Sequence, residues 1–483
     1  MFNYKFFDIG LLILTVIALS IFVYKKRNKI SIDGPMYLYR TKIGMKLIDW
    51  FGKKHAKFLD IMLWPLLITS YGLMIFGVVY FLFIIFQYLT DPIIVELVKA
   101  PPILPIFPYF TEFFGLNSFF PNFYFISFII SVGIAIVVHE FSHGIYAKRF
   151  GIGIKSTGFA LLRLFKIPLP FFGAFVEQDD KQMVKAPKKA QLTILGAGVF
   201  SNMIVTVLSI GLLWLFFLAS FQPAGIVFND YAITTINYSE VQTINDFSVY
   251  NFNAEDLAML NQSEYVRLGV HDIYFYTSTY AINRTFNSNI ELLNAYEDAP
   301  AFNAKLKGLI TNIDGKKITS RDGLSIAIKS HQPGDKIQIE TLYNNQKLNY
   351  DLTLANRSGV AYLGISSSSS SPASPLKKII YYLSMVTPKK INYSTGVVYQ
   401  SKIGSFGIFL FDMIWWVILI NFAVAICNML PIGIFDGGRF FMLSVWGITG
   451  KKKFAESSFK WVTIFFLVLL AIWMVKWFSS YFF

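Results

Sequence analysis

Long runs almost free of polar side chains alternate along this chain with shorter segments crowded with lysine and arginine. Six of the apolar runs are candidates to cross a bilayer as helices: Phe6 to Tyr24, Ile61 to Leu89, Phe123 to Ala147, Ala190 to Phe221, Ile408 to Met429, and Trp461 to Val475 or slightly beyond. A helix satisfies its own backbone groups, which residence in lipid requires. The segment Gly151 to Asp180 breaks this pattern, because Gly153, Gly158, Pro168, Pro170 and Gly173 fall among β-favouring apolar residues. It predicts a hairpin dipping into the membrane, where non-helical backbone survives only against a protein cavity, with Gly173, Ala174, Phe175, Val176 and Glu177 as its edge strand.

Residues Gln222 to Ile365 are polar, with short alternating strands and turns, and read as a soluble domain. Its second half is the clearer one. Strands are expected at Leu309 to Ile318 around the Asp314-Gly315 turn, at Lys336 to Leu342 and at Leu348 to Leu354, with a short helix from Arg321 to Ser330. Ser366 to Ser371 with Pro372 and Pro375 reads as a flexible linker. The lysine- and tyrosine-bearing stretch Leu376 to Tyr399 suits either the membrane surface or an exposed stalk. Asp91 to Asn122, rich in proline and aromatics, is expected at the interface. The expected division is therefore 1–90, 91–122, 123–221, 222–366, 367–406 and 407–483.

Composition agrees: 54% of residues are hydrophobic and only 15% charged, the balance of an integral membrane protein. The net charge of +14 suggests nucleic acid until its distribution is considered. Lys25, Lys26, Arg27 and Lys29 follow the first run, Lys148, Arg149, Lys155, Lys185, Lys188 and Lys189 separate the third and fourth, and Lys451, Lys452 and Lys453 separate the last two. By the positive-inside rule these loops are cytoplasmic, which puts both termini and the soluble domain outside. All five Asn-x-Ser/Thr sequons, at Asn237, Asn261, Asn283, Asn356 and Asn392, fall in the segment assigned outside. The one cysteine, Cys427, excludes an intrachain disulfide framework and is expected in packing. No small-residue cleavage pattern precedes Lys25, so the first run reads as a retained anchor.

Against this apolar background His139-Glu140-Phe141-Ser142-His143 stands out. The histidines sit four apart on one helical face, so both can reach one metal ion, with Glu140 beside them to hold a water. The competing reading, two core histidines with buried hydrogen bonds, is weakened by the cost of ionisable groups in lipid. A catalytic zinc site typically needs a third ligand. Asp436 is the candidate, in Asn428-Met429-Leu430-Pro431-Ile432-Gly433-Ile434-Phe435-Asp436-Gly437-Gly438, where Pro431 and Gly433 interrupt the helix and Gly437 and Gly438 permit close approach. Taken alone, an interfacial turn aspartate explains Asp436 as well.

The two segments together resemble the site-2 protease family of intramembrane zinc metalloproteases, which pairs His-Glu-x-x-His with a later Asn-x-x-Pro-x-x-x-x-Asp-Gly. The resemblance implies one zinc ion held by His139, His143 and Asp436, Glu140 as general base, and Asn428 as a contact to substrate backbone. Gly198 to Asn202 resembles the family's small-x-x-x-Asn motif, in which glycine allows tight helix packing and asparagine faces the core. The soluble segment resembles a PDZ domain with an insertion from Phe228 to Asp298. The fold expected is thus a polytopic α-helical membrane protein of about six spans, with a membrane-associated β-hairpin and an inserted extracytoplasmic α+β PDZ-like domain. The activity implied is hydrolysis of peptide bonds within or near the membrane segments of single-span proteins, in concert with an upstream protease. A metal permease or a non-catalytic metal-binding scaffold is the alternative, and Glu140 argues against it, since transport needs no base beside the metal.

Overall fold

The computed structural model describes residues 4–482 apart from 92–94, 96–105, 119, 165, 166, 229, 246, 250–264, 272, 279, 280, 283–291, 345, 367–390 and 393–395. The expected linker after Ser366 and most of Leu376 to Tyr399 lie outside the described residues. The principal helices are α1 (Tyr4–Lys26), α2 (Met45–Lys54), α3 (Leu63–Thr90), α4 (Phe125–Arg149), α5 (Lys188–Ser220), α6 (Gly404–Met429), α7 (Asp436–Thr449) and α8 (Lys452–Phe482). Of these, α1, α3, α4, α5, α6 and α8 are long and apolar enough to cross a membrane, and they coincide with the six apolar runs of the sequence. The chain divides into two compact units, 1–215 with 408–483, and 216–407.

In the helical unit, a core of buried residues unites α3 to α7: Leu66, Leu73 and Met74 of α3, Tyr146 and Ala147 of α4, Ile194 and Val199 of α5, Ala425 and Met429 of α6, and Phe440 of α7. Lipid tails are as apolar as these side chains, so close packing rather than water exclusion must hold them together. Gly196 shows how: a Cβ there would lie 2.4 Å from Ser70 Oγ of α3. The second apolar run, which bears no chemical motif, is thus part of the core.

The expected hairpin forms from β3 (Ile154–Leu164) and β4 (Ile167–Gln178), and the structure enlarges it. Two further strands, β1 (Ile30–Asp33) and β2 (Met36–Thr41), come from the basic loop after α1, giving an antiparallel sheet in the order β1-β2-β3-β4. Strand β2 pairs with β3 from Met36 opposite Leu162 to Thr41 opposite Thr157. It covers an edge whose unpaired amides would be costly near lipid. The far edge, that of β4, carries no further strand among the described residues.

Helix α1 is joined to the rest differently. Among its described residues only Asp8 is buried. The Asp8 carboxylate accepts hydrogen bonds from the backbone amides of Phe125, at 2.6 Å, and Ile126, at 3.0 Å, and from the Tyr109 hydroxyl. Tyr124, the residue that precedes α4, supplies no side-chain cap, so a carboxylate from another helix satisfies amides that the first turn leaves open. Asp8→Ala is expected to lower stability by about 1–2 kcal/mol, the size of a lost helix cap. Hydrogen exchange at Phe125 and Ile126 should accelerate, and exchange unchanged at both would refute the cap.

The second unit is β-rich. Its larger sheet orders Gln346–Thr353, Lys336–Tyr343, Leu309–Ile313, Phe221–Ile226, Val397–Ser401 and Ile391–Asn392, with Lys316–Lys317 paired to Leu309–Ile313. Helix Arg321–Lys329 is capped by Ser320, whose hydroxyl accepts from the Gly323 amide at 3.0 Å, and its Leu324 joins Ile310, Ile313, Ile337 and Ile339 in the core. The strands between Leu309 and Thr353 and this helix begin and end within one or two residues of those read from the alternation. Between Phe221–Ile226 and Leu309–Ile313, a separate six-stranded sheet folds around its own core of Val266, Leu268, Leu293 and Ala295.

Candidate active site

His139 and His143 follow one another on the buried face of α4, their rings 4.7 Å apart and nearly perpendicular. Asp436 opens α7, and its Oδ2 lies 3.1 Å from His139 Nε2 and 3.2 Å from His143 Nε2. One donor atom from each of the three lies within 4.8 Å of the others. The turn that delivers Asp436 follows from its residues. Helix α6 stops at Met429, ahead of Pro431, which has no amide to donate. The chain then doubles back so tightly that a Cβ on Gly437 would lie 2.3 Å from the Met429 carbonyl carbon, and one on Gly438 2.4 Å from the Ile432 oxygen.

Two observations show that this cluster suits a divalent metal ion. His143 Nδ1 is 2.6 Å from the Ile194 carbonyl oxygen, to which its N–H donates, so that the lone pair is on Nε2, facing Asp436. Gly198 keeps a recess open: a Cβ there would lie 2.6 Å from His139 Cε1, His139 Nε2 and His143 Nε2 alike. Two imidazole nitrogens and one carboxylate oxygen match the three-residue donor set of a catalytic site.

Glu140 points the other way around the helix, to the sheet. Its Oε2 accepts a hydrogen bond of 3.1 Å from the Val176 amide of β4. Because that N–H turns away from β3, the backbone groups of Val176, and of Ala174 two residues earlier, face the free edge. The edge strand read from the sequence thus ends at the base candidate. At its polar end, Glu177 accepts from the Ser156 hydroxyl at 2.6 Å and from Arg40 Nε at 3.2 Å, and these partners hold its carboxyl below the usual carboxylate range. An apolar cavity of about 350 Å³ borders the strand, lined by Gly173 and Ala174 of β4, Leu19 and Phe22 of α1, and Ile136 and Val137 of α4, among others.

The remaining candidates are placed as follows. Asn428 is half-buried in the last turn of α6. Asn202 lies one turn beyond Gly198 on α5, wholly buried, and neither amide atom has a hydrogen-bond partner. Cys427, expected in packing, is exposed, because it sits on the side of α6 away from buried Ala425 and Met429. Asn421, also wholly buried on α6, was not singled out from the sequence, although an asparagine inside an apolar run was the available signal. The Ile194 carbonyl and strands β1 and β2 carried no motif.

The sequence pattern of Peptidase family M50 matches residues 127–472, a stretch that takes in all but the first two residues of α4, with β3, β4 and Asp436. The chain belongs to peptidase family M50. The resemblance drawn from the two short motifs is therefore shown over most of the chain. The M50 chain is also 32% identical, over 206 residues, to an uncharacterized protein of Methanocaldococcus jannaschii, an alignment covering 42% of this chain and 50% of that protein. It thus spans about half the length of this curated relative.

Proposed function

We propose that this M50 protein is a zinc endopeptidase that cuts membrane-anchored proteins within or beside their spanning segments. The observation that carries the reading is the Val176 amide on the Glu140 carboxylate: the free edge of a strand meets the base candidate next to three metal-ligating side chains. A transmembrane helix conceals its carbonyls in its own hydrogen bonds and must unwind to be cut. Added to β4 as a further strand, an unwound segment pairs with Ala174 and with the Val176 carbonyl, the Val176 amide staying on Glu140, and places apolar side chains in the bordering cavity.

His139, His143 and Asp436 would hold zinc, which when bound would supply Lewis acidity, lowering the pKa of water from about 15.7 to about 7 and polarising a carbonyl. Glu140 takes the proton of the attacking water and returns it to the amide nitrogen as the C–N bond breaks. Asn428, in the segment that carries Asp436, is assigned to the substrate backbone. The Ile194 carbonyl orients His143 by accepting a hydrogen bond from its Nδ1–H. Single-span proteins already trimmed by an upstream protease are the proposed substrates. The β-rich unit, outside the cytoplasm with both termini, is proposed as a PDZ-like filter on their size.

The test is terminal mapping by mass spectrometry of single-span proteins incubated with the purified enzyme. New ends inside the spanning segment, lost on chelation, are expected; bound metal with no new ends from any substrate would favour a permease or scaffold instead. The strand-addition step has its own test in Ala174→Pro. The Ala174 amide faces away from β3, so proline there leaves the ladder intact and removes only a donor at the free edge. Cleavage should fall about 10²-fold, as expected when a substrate is misplaced by about an ångström, with metal content unchanged. Undiminished cleavage would rule strand addition out.

A further inference from the structure

Among the buried polar atoms of the helical unit without a hydrogen-bond partner are His139 Nδ1 on α4, Asn202 Oδ1 and Nδ2 on α5, and Asn421 Oδ1 on α6. Asn202 and Asn421 are wholly buried, and His139 nearly so. Contacts between α4 and α5 set the depth of Asn202. The Ser201 hydroxyl donates to the Val138 carbonyl at 3.2 Å, which puts residue 202 of α5 beside the His139 turn of α4. Gly198, one turn before Asn202 on the same helical face, is the position whose Cβ would touch the Cε1 and Nε2 atoms of that imidazole. Asn421 sits two turns before Asn428 on α6, with its Nδ2 donating to the Val417 carbonyl at 2.8 Å and its Oδ1 free.

Buried amides and imidazoles left without partners are costly, and a polar gap among several of them is where ordered water resides. The need at His139 is specific. If its Nε2 is to ligate a metal, its Nδ1 must carry the proton, and a buried N–H of that kind requires an acceptor. His143 has the Ile194 carbonyl for this purpose. His139 Nδ1 has no protein acceptor within hydrogen-bond distance among the described residues.

We propose that Asn202, together with Asn421, holds a buried water that accepts the hydrogen bond from His139 Nδ1–H and thereby fixes His139 as an Nε2 ligand. Asn202 is on this account a positioning residue, two steps removed from the reacting atoms: the Asn202 and Asn421 amides orient the water, the water orients the imidazole. The inference rests on the three-ligand reading of the site.

The experiment is titration of the purified metal-free full chain with Co²⁺, followed by its visible absorption bands and by chelator competition. Wild type, Asn202→Leu, Asn202→Asp and Asn421→Leu are compared, and the thermal unfolding of each metal-free protein is recorded. Expected is a 10- to 100-fold weaker Co²⁺ affinity in Asn202→Leu, the usual cost of losing a partner behind a metal ligand, with altered band intensities. Its metal-free unfolding temperature should be unchanged or higher, since an unpaired buried amide has been removed. Asn202→Asp, which keeps an acceptor oxygen, should restore affinity to within a few-fold, and Asn421→Leu should weaken it in the same direction. Wild-type affinity in Asn202→Leu, or a loss matched by a fall in metal-free stability and not rescued by Asn202→Asp, would overturn the proposal. If Asn202→Leu does not fold, wild-type affinity in Asn421→Leu would overturn it equally. Failure of wild type itself to bind Co²⁺ would instead defeat the metal-site reading on which the proposal stands.

Discussion

Glu140→Gln is expected to lower the rate of peptide cleavage by about 10³-fold, within the range that a positioned general base contributes, while leaving bound metal and fold as they are. The contact with β4 makes this a clean substitution. Glu140 accepts one hydrogen bond, from the Val176 amide at 3.1 Å, and a glutamine carbonyl oxygen can accept the same bond. What glutamine cannot do at neutral pH is take a proton from water. Cleavage of a single-span substrate, measured alongside metal content by elemental analysis, separates the two roles. If the variant cleaves at the wild-type rate, Glu140 is a strand anchor and the base lies elsewhere. If metal content falls in parallel with the rate, Glu140 belongs to the ligand set.

Gly198→Ala carries the second large effect. The added methyl would lie 2.6 Å from three imidazole atoms, closer than real Cβ contacts come. Retreat of α5 is blocked, because Ala197 and Val199 on either side are buried in the core against α3, α4 and α6. The histidines must therefore swing away from Asp436, and metal affinity should drop by on the order of 10²-fold, the upper range for disturbing the support of a metal ligand. Gly211→Ala on the same helix is the control: a Cβ there meets nothing within 4 Å, and both affinity and activity should stay at the wild-type level. Equal affinity in wild type and Gly198→Ala would show that the metal-binding groups are not those on α4.

Much of this was legible along the chain because it is local. Six spans follow from runs of apolar residues, since lipid demands helices wherever backbone is unaccompanied. His139 and His143 belong together through the helical repeat alone, and Glu140 follows from its place between them. Breaks in that repeat marked the hairpin and its edge strand, down to Gly173 and Val176. The alternation in residues 309–354 likewise carried most of the strands and the one helix found there, because each is set by near neighbours.

What remained hidden is what two distant segments decide jointly. Ile30–Asp33 and Met36–Thr41 looked like part of a basic loop, and they are strands because β3 offers them an edge. Asp8 reads as a stray acid in an anchor helix, and it is a cap because the amides of Phe125 and Ile126 reach it across the fold. The Ile194 carbonyl has no side chain to announce it. The order of residues names the chemistry, two histidines, a glutamate and an aspartate in lipid, since residue type and helical period are carried by the chain itself. The meeting of Asp436 with the histidines 3.1 and 3.2 Å away, the recess at Gly198 and the approach of Val176 to Glu140 are properties of packing, since each depends on helices and strands far apart in sequence closing to van der Waals distance.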